Sequence, residues 1–358
     1  MIPYDDILKL LPYSLVHTDK QSLMLRRLVG LTRHHYTHCE SYRRILDAQD
    51  ISIESIQSVS EIPFLPVSLF KERDLLSIPA EQVVKTMTSS GTTGQAVSKI
   101  YLDKTTATNQ QKTLVRIVND FTGSSRMPLL IIDSSALMKN RTMFSARGAG
   151  ILGFSIFGAD KAYALDEHMG LDLPAICAFL DKHQGRKILL FGFTFMIWQH
   201  FYKQLLATGV KLDLSNALLI HGGGWKKLQS EAVSPTVFAH ALHHVCGLPY
   251  VYDYYGMVEQ TGCVYMQCSE GHMHASIFSD VIIRDYRDFS VCHPGTPGII
   301  QVLSLIPESY PGHSLLTEDQ GVLLGEDDCP CGRLGKYFKV LGRLKSAELR
   351  GCSDTYAA

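Results

Sequence analysis

Apolar positions at helical spacing dominate the first sixty residues of the chain. Between residues 19 and 46 they recur along one face of a 3.6-residue period, which predicts an amphipathic helix. The recurring positions are Leu23, Leu25, Leu28, Leu31 and Tyr36. Pro63 and Pro66 then interrupt the pattern, because proline lacks the backbone N–H that helices and sheets require. We therefore expect a helical beginning that breaks before residue 70.

Beyond the prolines, short apolar runs alternate with helical patterns. Four runs predict buried strands, and each is followed by a turn or a helical run. They are 128–133, 187–192, 216–222 and 250–256. This alternation is typical of an α/β sheet. After residue 275 the runs "SIFSDVIIRD", "GIIQVLSL", "GVLLGE" and "YFKVLGR" follow one another closely. The predicted fold class is therefore α/β, with sheets flanked by helices and a smaller β-subregion.

Composition and charge limit the kinds of partner and the cellular compartment that we expect for this protein. The chain has 358 residues, of which 46% are hydrophobic and 19% charged, and its formal net charge is -1. A charge this small gives no field that steers the protein toward nucleic acid or anionic lipid. The most hydrophobic run, 188–198, is too short to span a membrane and is interrupted by Gly192. Nine cysteines, without the spacing of a secreted disulfide framework, favour a reducing cytoplasm.

A run of hydroxyl residues and glycines is the sharpest chemical signal. Glycine lets a backbone approach an anion closely, and successive N–H groups in such a turn form a concavity for phosphate. The candidate residues are Thr88, Ser89, Ser90, Gly91, Thr92, Thr93 and Gly94. The spacing of a Walker loop is absent, and the residues after the run resemble a strand rather than a helix. Taken alone, the run fits a surface hairpin as well as it fits a phosphate site.

A second glycine-rich motif, "HGGGWKK", follows an apolar strand. A similar HGGG sequence forms the oxyanion hole of lipase-like hydrolases. Those enzymes also need a GxSxG nucleophile elbow, which this sequence lacks. We therefore favour a turn of Gly222, Gly223 and Gly224 that faces a flat ligand such as adenine.

The third motif, "YYGMVEQTG", contributes Tyr255, Gly256 and Glu259. An aromatic side chain at the end of a strand can stack on a base, and a carboxylate can hold Mg²⁺ beside phosphates. Tyr-Gly pairs are also common at strand ends, so the motif is weak evidence without the other two.

In this order, the three motifs resemble those of the adenylate-forming superfamily of acyl- and aryl-CoA ligases. The hydroxyl run resembles the phosphate loop, and 255–259 resembles the YGxTE motif, with Val258 in place of threonine. Asp319 in "LLTEDQG" stands where the superfamily has the aspartate that holds the ribose hydroxyls. Arg343 in "LGRLKSAELRG" stands where it has the hinge arginine. The resemblance thus implies a site for ATP and Mg²⁺, with Glu259 as the Mg²⁺ ligand.

The sequence differs from the superfamily pattern in two respects. Ala96 and Val97 stand where the phosphate loop usually continues with Pro-Lys. The chain resembles the large N-terminal domain at 1–340, followed by a hinge-like segment and cysteine arm at 341–358, with the full C-terminal domain absent. That domain carries a catalytic lysine in the superfamily, so another residue must replace it here. Lys99 and Lys226 are the candidates that the sequence offers.

Within the superfamily, the chain resembles the short acyl-protein synthetases of the bacterial luminescence fatty-acid reductase complex, the LuxE type. The similar segments are "IPFLPVSLFK", "TSSGTTG", "HGGGWKK" and "RGCSD". The last of these places Cys352 where the family has its acylated cysteine. Cations at Arg343, Lys345 and Arg350 are candidates to lower the pKa of that thiol.

This resemblance implies a two-step reaction. A fatty acid is activated with ATP as acyl-AMP, and Cys352 then takes the acyl group as a thioester and presents it to a partner such as an acyl reductase. Two alternatives stay open. The chain could be a small acyl- or aryl-CoA ligase with CoA as acceptor, or a non-catalytic scaffold that only holds nucleotide.

A cysteine and histidine cluster lies outside these motifs. Three cysteines and one of two neighbouring histidines can form a four-ligand structural zinc site. The candidates are Cys268, His272, His274, Cys329 and Cys331. The alternative is that these are buried cysteines in a turn, with histidines on the face of a strand.

Overall fold

The computed structural model describes residues 2–89, 97–139 and 146–344. Its strands, in chain order, are β1 Leu65–Pro66, β2 Lys85–Thr88, β3 Lys99–Leu102, β4 Met127–Ser134, β5 Gly158–Leu165, β6 Ile188–Phe193, β7 Ala217–Gly222, β8 Tyr250–Tyr255, β9 Tyr265–Gln267, β10 Met273–His274, β11 Ser279–Arg284, β12 Pro297–Ser304, β13 Ser314–Glu326 and β14 Lys336–Arg343. The described α-helices are α1 Tyr4–Ile7, α2 His17–His38, α3 Glu40–Ala48, α4 Leu69–Glu72, α5 Lys104–Thr122, α6 Ala136–Lys139, α7 Ala146–Phe154, α8 Leu173–Lys182, α9 Thr194–Met196, α10 Lys203–Thr208 and α11 Pro235–Cys246.

The chain forms two compact units. The first contains the chain up to Phe121 and the part that begins at Tyr255, and the second contains Thr122–Tyr254. No described helix is long and apolar enough to cross a membrane.

The second unit is built on a parallel sheet. Its strands follow the order β8-β7-β6-β4-β5. Every residue of β4, β6 and β7 is buried, as expected for parallel strands that are covered on both faces. The strands predicted at 128–133, 187–192, 216–222 and 250–256 are confirmed as β4, β6, β7 and β8. The sequence analysis did not predict β5, an edge strand whose apolar pattern is interrupted by Asp160 and Lys161.

Two helices of this unit begin at caps that their sequences supply. Asp172 accepts a hydrogen bond from the N–H of Ala175 at 3.0 Å at the start of α8. Ser234 accepts one from the N–H of Val237 at 3.3 Å at the start of α11. Proline follows each cap in the first turn, where its missing N–H costs nothing. The helices pack an apolar core against the sheet, in which Phe201 and Leu219 are fully buried.

The first unit is an antiparallel sheet with helices packed on it. The sheet has the order β11-β12-β13-β14-β10-β9, and the short β1 pairs in parallel with β13. The strand-rich pattern predicted after residue 275 is therefore confirmed. The helical pattern of the first sixty residues is confirmed as α2 and α3. The domain division predicted at residue 340 stays a prediction, and residues 345–358 lie outside the described residues.

Candidate active site

The hydroxyl and glycine run connects a hairpin in the first unit. Strands β2 and β3 pair so that Thr88 lies opposite Lys99. The Ser89 N–H donates to the carbonyl of Ser98 at 3.0 Å, and the Ser98 N–H donates to the Ser89 hydroxyl at 2.9 Å. The segment after the run is a strand, as predicted, so the run connects two strands and does not lead into a helix. Of the predicted phosphate residues, Thr88 and Ser89 are described, and the other five lie outside the described residues: Ser90, Gly91, Thr92, Thr93 and Gly94.

Two of the motif residues meet in a hydrogen bond. The Tyr255 hydroxyl donates to Oδ2 of Asp319 at 2.7 Å, although 64 residues separate them. Asp319 lies on β13, and its backbone N–H donates to the Thr317 hydroxyl at 3.1 Å. Burial raises the pKa of Asp319, and the bond from Tyr255 and the charge of Arg343 oppose that rise. Its carboxylate thus has one oxygen engaged by Tyr255, and the other, Oδ1, lies 3.7 Å from Nε of Arg343.

Two cations share a carboxylate beside this pair. Arg343, the β14 partner of Asp319, places Nη2 3.9 Å from Oε2 of Glu318. Nζ of Lys71, on the short helix α4, lies 3.9 Å from the same oxygen. The sequence analysis did not single out Lys71. The only signal was that it ends the segment "IPFLPVSLFK", which carried part of the family resemblance.

Glu259 is a buried carboxylate near these groups. It lies in the single 3₁₀ turn Val258–Gln260 and is only 6% exposed. The Tyr310 hydroxyl donates to the Glu259 backbone carbonyl at 2.9 Å, which fixes the turn. Burial raises the pKa of the carboxyl, and the Ser98 hydroxyl and the charges of Lys71 and Arg343 oppose that rise. Gly256, three residues earlier, is exposed.

The glycine turn lies in the second unit, at the carboxyl end of β7. In open parallel sheets, ligands bind at this end of the strands. Gly223 and Gly224 both have left-handed φ, of 82° and 65°. A β-carbon at position 223 would lie 2.6 Å from the Phe193 ring, and one at Gly222 would lie 2.7 Å from the Tyr254 ring. The turn therefore requires glycine for backbone conformation at 223 and for space at both positions.

His221 and Thr194 form hydrogen bonds next to this turn. Thr194 Oγ1 lies 2.9 Å from Nδ1 of His221 and donates to the carbonyl of Gly222 at 3.1 Å. Burial lowers the pKa of His221 to about 3, so the imidazole is neutral. Nδ1 of His221 also lies 3.7 Å from Oδ1 of Asp253. Burial raises the pKa of Asp253 to about 7. The role of Thr194 was not predicted, because it depends on the pairing of β6 with β7.

The remaining predicted residues are less informative. Lys99 is half-exposed, and its Nζ lies 4.0 Å from Asp74. Lys226 begins the 3₁₀ helix Lys226–Glu231, directly after the glycine turn and Trp225. Cys352, Lys345 and Arg350 lie outside the described residues. The cysteine and histidine cluster is assembled in the first unit, where three cysteines and His274 approach one another within 4.8 Å.

Comparison with known proteins decides the family. The family model described as "Acyl-protein synthetase, LuxE" matches residues 3–358. This chain belongs to the LuxE family of acyl-protein synthetases. The long-chain-fatty-acid–luciferin-component ligase of Vibrio harveyi is 22% identical over 349 residues, which cover 94% of this chain and 87% of that protein. The protein of the same name from Aliivibrio fischeri is 22% identical over 337 residues, with coverages of 90% and 85%.

Solved structures agree on the fold. An open conformation of 2-hydroxyisobutyryl-CoA ligase, in complex with 2-HIB-AMP and CoA, matches this LuxE-family chain with a TM-score of 0.69 and 15% identity. The match covers 92% of this chain and 76% of that one. The predicted fold of an adenylate-forming ligase is therefore confirmed. Together with the family, it makes the chain a ligase that activates an acid.

Proposed function

We propose that this LuxE-family ligase activates a fatty acid with ATP and then carries the acyl group on Cys352. The observation that carries the proposal is the cluster in the first unit. There Tyr255 and Asp319 share a hydrogen bond, and Arg343 and Lys71 converge on the neighbouring Glu318. A fatty acid as substrate is supported by the names of the Vibrio harveyi and Aliivibrio fischeri relatives, which are long-chain-fatty-acid ligases.

In the first step, a carboxylate oxygen of the acid attacks the α-phosphorus of ATP. The bond from that phosphorus to the bridging oxygen breaks, and the products are acyl-AMP and pyrophosphate. Asp319 is suited to hold the ribose hydroxyls, because a carboxylate accepts hydrogen bonds and its Oδ1 is not the oxygen that Tyr255 occupies. Negative charge develops on the phosphate oxygens during this step. Fixed cations stabilise it best where they are partly shielded from water.

Lys71 and Arg343 supply such cations. Each approaches Glu318 only to 3.9 Å, so neither is locked in a close ion pair. Their side chains are 27% and 40% exposed, which leaves them accessible to a bound ligand. Lys71 is therefore a better candidate than Lys99 for a lysine that contacts the phosphates. Lys99 instead lies beside Asp74, on an exposed face.

The Glu259 carboxylate fits an Mg²⁺ ion. Mg²⁺ prefers oxygen ligands and is usually held by one or two carboxylates together with substrate phosphates. Burial disfavours the ionised form of Glu259 and raises its pKa. A divalent cation beside the carboxylate would stabilise that ionised form. When bound, Mg²⁺ neutralises charge on the phosphates. Glu259 would hold it, and the Tyr310 hydroxyl keeps the backbone of Glu259 in place.

In the second step, the Cys352 sulfur attacks the acyl carbon of acyl-AMP. The bond to the AMP oxygen breaks, AMP leaves, and the thiol proton goes to solvent, so that a thioester remains on the protein. Lys345 and Arg350 would favour the thiolate, because nearby cations lower the pKa of a thiol. The thioester then passes to an acceptor such as an acyl reductase. The predicted zinc ion has no role in these steps.

The test is the intact mass of the protein after incubation with ATP, Mg²⁺ and a panel of fatty acids. Wild-type protein should gain one acyl group, which neutral hydroxylamine removes as it removes thioesters. Cys352→Ser should form acyl-AMP, trapped as a hydroxamate, but should hold no acyl group, because serine is a poor nucleophile without an adjacent base. Cys177→Ser is the matched control, since Cys177 is an exposed cysteine in α8 of the second unit.

Three outcomes would contradict the proposal. Acylation of Cys352→Ser to the wild-type extent would place the acyl group on another side chain. Acyl-CoA formed in place of acyl-protein would make the chain a CoA ligase. The absence of any ATP-dependent hydroxamate would leave only a nucleotide-binding role.

A further inference from the structure

Three cysteines and a histidine of the first unit converge on one point. The sulfur atoms of Cys268, Cys329 and Cys331 and a ring nitrogen of His274 all lie within 4.8 Å of one another. Cys268, His274 and Cys329 are buried, and Cys331 is partly buried. We propose that these four side chains bind one structural zinc ion.

Two distances within the cluster match a tetrahedral zinc site. With Zn–S bonds of about 2.3 Å and a Zn–N bond of about 2.0 Å, tetrahedral geometry separates two sulfurs by about 3.8 Å and a sulfur from the nitrogen by about 3.5 Å. The Cys268 and Cys329 sulfurs are 3.9 Å apart, and Nε2 of His274 lies 3.4 Å from the Cys331 sulfur. A disulfide requires about 2.05 Å, so the first two sulfurs are not bonded to each other.

Two similar turns present the sulfurs. The Gly271 N–H donates to the Cys268 carbonyl at 3.0 Å, and the Gly332 N–H donates to the Cys329 carbonyl at 2.9 Å. Both glycines lie three residues after their cysteine and have left-handed φ, of 77° and 80°. Two unrelated segments, 268–271 and 329–332, thus adopt the same turn with the cysteine in the same position.

The donor types also favour zinc. Three thiolates and a neutral imidazole around Zn²⁺ leave a net charge of about -1. Soft sulfur donors with one imidazole select zinc over Mg²⁺ or Ca²⁺, which take oxygen ligands. The ion is thus distinct in chemistry from the Mg²⁺ proposed at Glu259.

His274 is a better fourth ligand than His272. The mutually close set of donor atoms contains His274 and does not contain His272 among the described residues. His274 is fully buried on β10, with Nε2 turned toward Cys331. The His272 ring stacks on Tyr337 with centroids 4.9 Å apart, and its Nδ1 approaches Cys329 at 3.3 Å from outside that set. His272 therefore serves as the matched control for the ligand assignment.

The test is elemental analysis of the full-length protein, purified without a metal-affinity step and dialysed against a mild chelator. Wild-type protein should retain about one zinc per chain, because such sites contribute folding energy. Cys329→Ser and His274→Ala should each retain less than about a tenth of that amount, whereas His272→Ala and Cys177→Ser should retain all of it. Protein made in cobalt-supplemented medium should show the intense visible absorption of tetrahedral cobalt with thiolate ligands.

The cobalt spectrum tests the site even if the ligand variants fail to fold, since it uses wild-type protein. A folded wild-type protein without zinc, and without the tetrahedral spectrum when grown in cobalt, would overturn the proposal. Loss of zinc in His272→Ala together with its retention in His274→Ala would overturn the ligand assignment. Both readouts are independent of acyl transfer, so a failure here leaves the proposed reaction untouched.

Discussion

Tyr255→Phe isolates one hydrogen bond of the proposed nucleotide site. The change removes the hydroxyl that donates to Asp319 at 2.7 Å and keeps the aromatic ring. Because the Asp319 side chain is only 19% exposed, the full value of a hydrogen bond to a charged group applies, about 1.5–3 kcal/mol. At 1.36 kcal/mol per factor of ten, that corresponds to roughly 10- to 150-fold.

The bond also exists in the protein without ATP, so only the part of its energy that orients Asp319 for the ribose should appear in the KM for ATP. The value above is therefore an upper bound on the change in KM, and kcat should stay nearly unchanged. Asp319 would hold the ribose equally in the ground state and the transition state, and a residue that acts in both alters KM alone. The assay is ATP–pyrophosphate exchange at varied ATP and saturating fatty acid. Tyr265→Phe is the matched control, because Tyr265 is a buried tyrosine of the same unit whose hydroxyl donates to the backbone carbonyl of Asp280 at 3.0 Å.

Tyr255→Phe should also change the pH dependence of kcat/KM for ATP. Burial already raises the pKa of Asp319, and the Tyr255 hydroxyl opposes that rise. Without the hydroxyl the pKa rises further, so a larger fraction of Asp319 is protonated at any given acidic pH. If the ribose needs the carboxylate, the acidic limb of kcat/KM for ATP should move to higher pH. An unchanged KM and an unchanged acidic limb, with only reduced thermal stability, would show that the pair is structural and that Asp319 does not bind ATP.

Two further changes separate the other assignments. Lys71→Ala should lower pyrophosphate exchange by roughly tenfold or more, because a charged contact to the substrate is lost. The free energy of unfolding should fall by less than about 1 kcal/mol, because the Lys71–Glu318 ion pair is long and partly exposed. If Lys99→Ala has the larger effect on exchange, the assignment of Lys71 is wrong. Thr92→Val with Thr93→Val removes two hydroxyl donors from the predicted phosphate loop and should lower activation at least about tenfold. Unchanged exchange in that double variant would remove the loop from the site.

The apolar pattern predicted the elements whose burial is simplest. A parallel strand covered on both faces appears in the sequence as a continuous apolar run, which is why β4, β6 and β7 were predicted. The edge strand β5 has one neighbour, is partly exposed and carries charged residues, so its pattern is mixed. The strand β1 has two residues and ends at Pro66, and the sequence could indicate only a break there.

That short strand explains why Lys71 was not predicted. Leu65 and Pro66 pair in parallel with Leu315 and Leu316 of β13, which brings the following residues alongside the start of "TEDQG". Lys71 consequently lies beside Glu318, about 250 positions away in sequence. Motif resemblance identified Asp319 and Arg343 separately, but their pairing is a property of the β13–β14 register. The choice between His272 and His274 depends in the same way on the fold, since His274 lies on β10 and His272 directly precedes that strand.

Strand β14 connects the proposed zinc site with the proposed nucleotide site. At its start Tyr337 pairs with His274, a proposed zinc ligand, and at its end Arg343 pairs with Asp319, a proposed nucleotide ligand. Six residues of strand at about 3.3 Å each separate these pairs by about 20 Å. An ion at the first position cannot touch atoms that react at the second. It can, however, hold the loop before β14 and the β9–β10 hairpin together, and so fix the register that places Arg343 opposite Asp319. Chelation should therefore reduce activity through unfolding of the first unit, with the thermal transition lowered in parallel. Loss of activity in a protein whose thermal transition is unchanged would contradict this structural role.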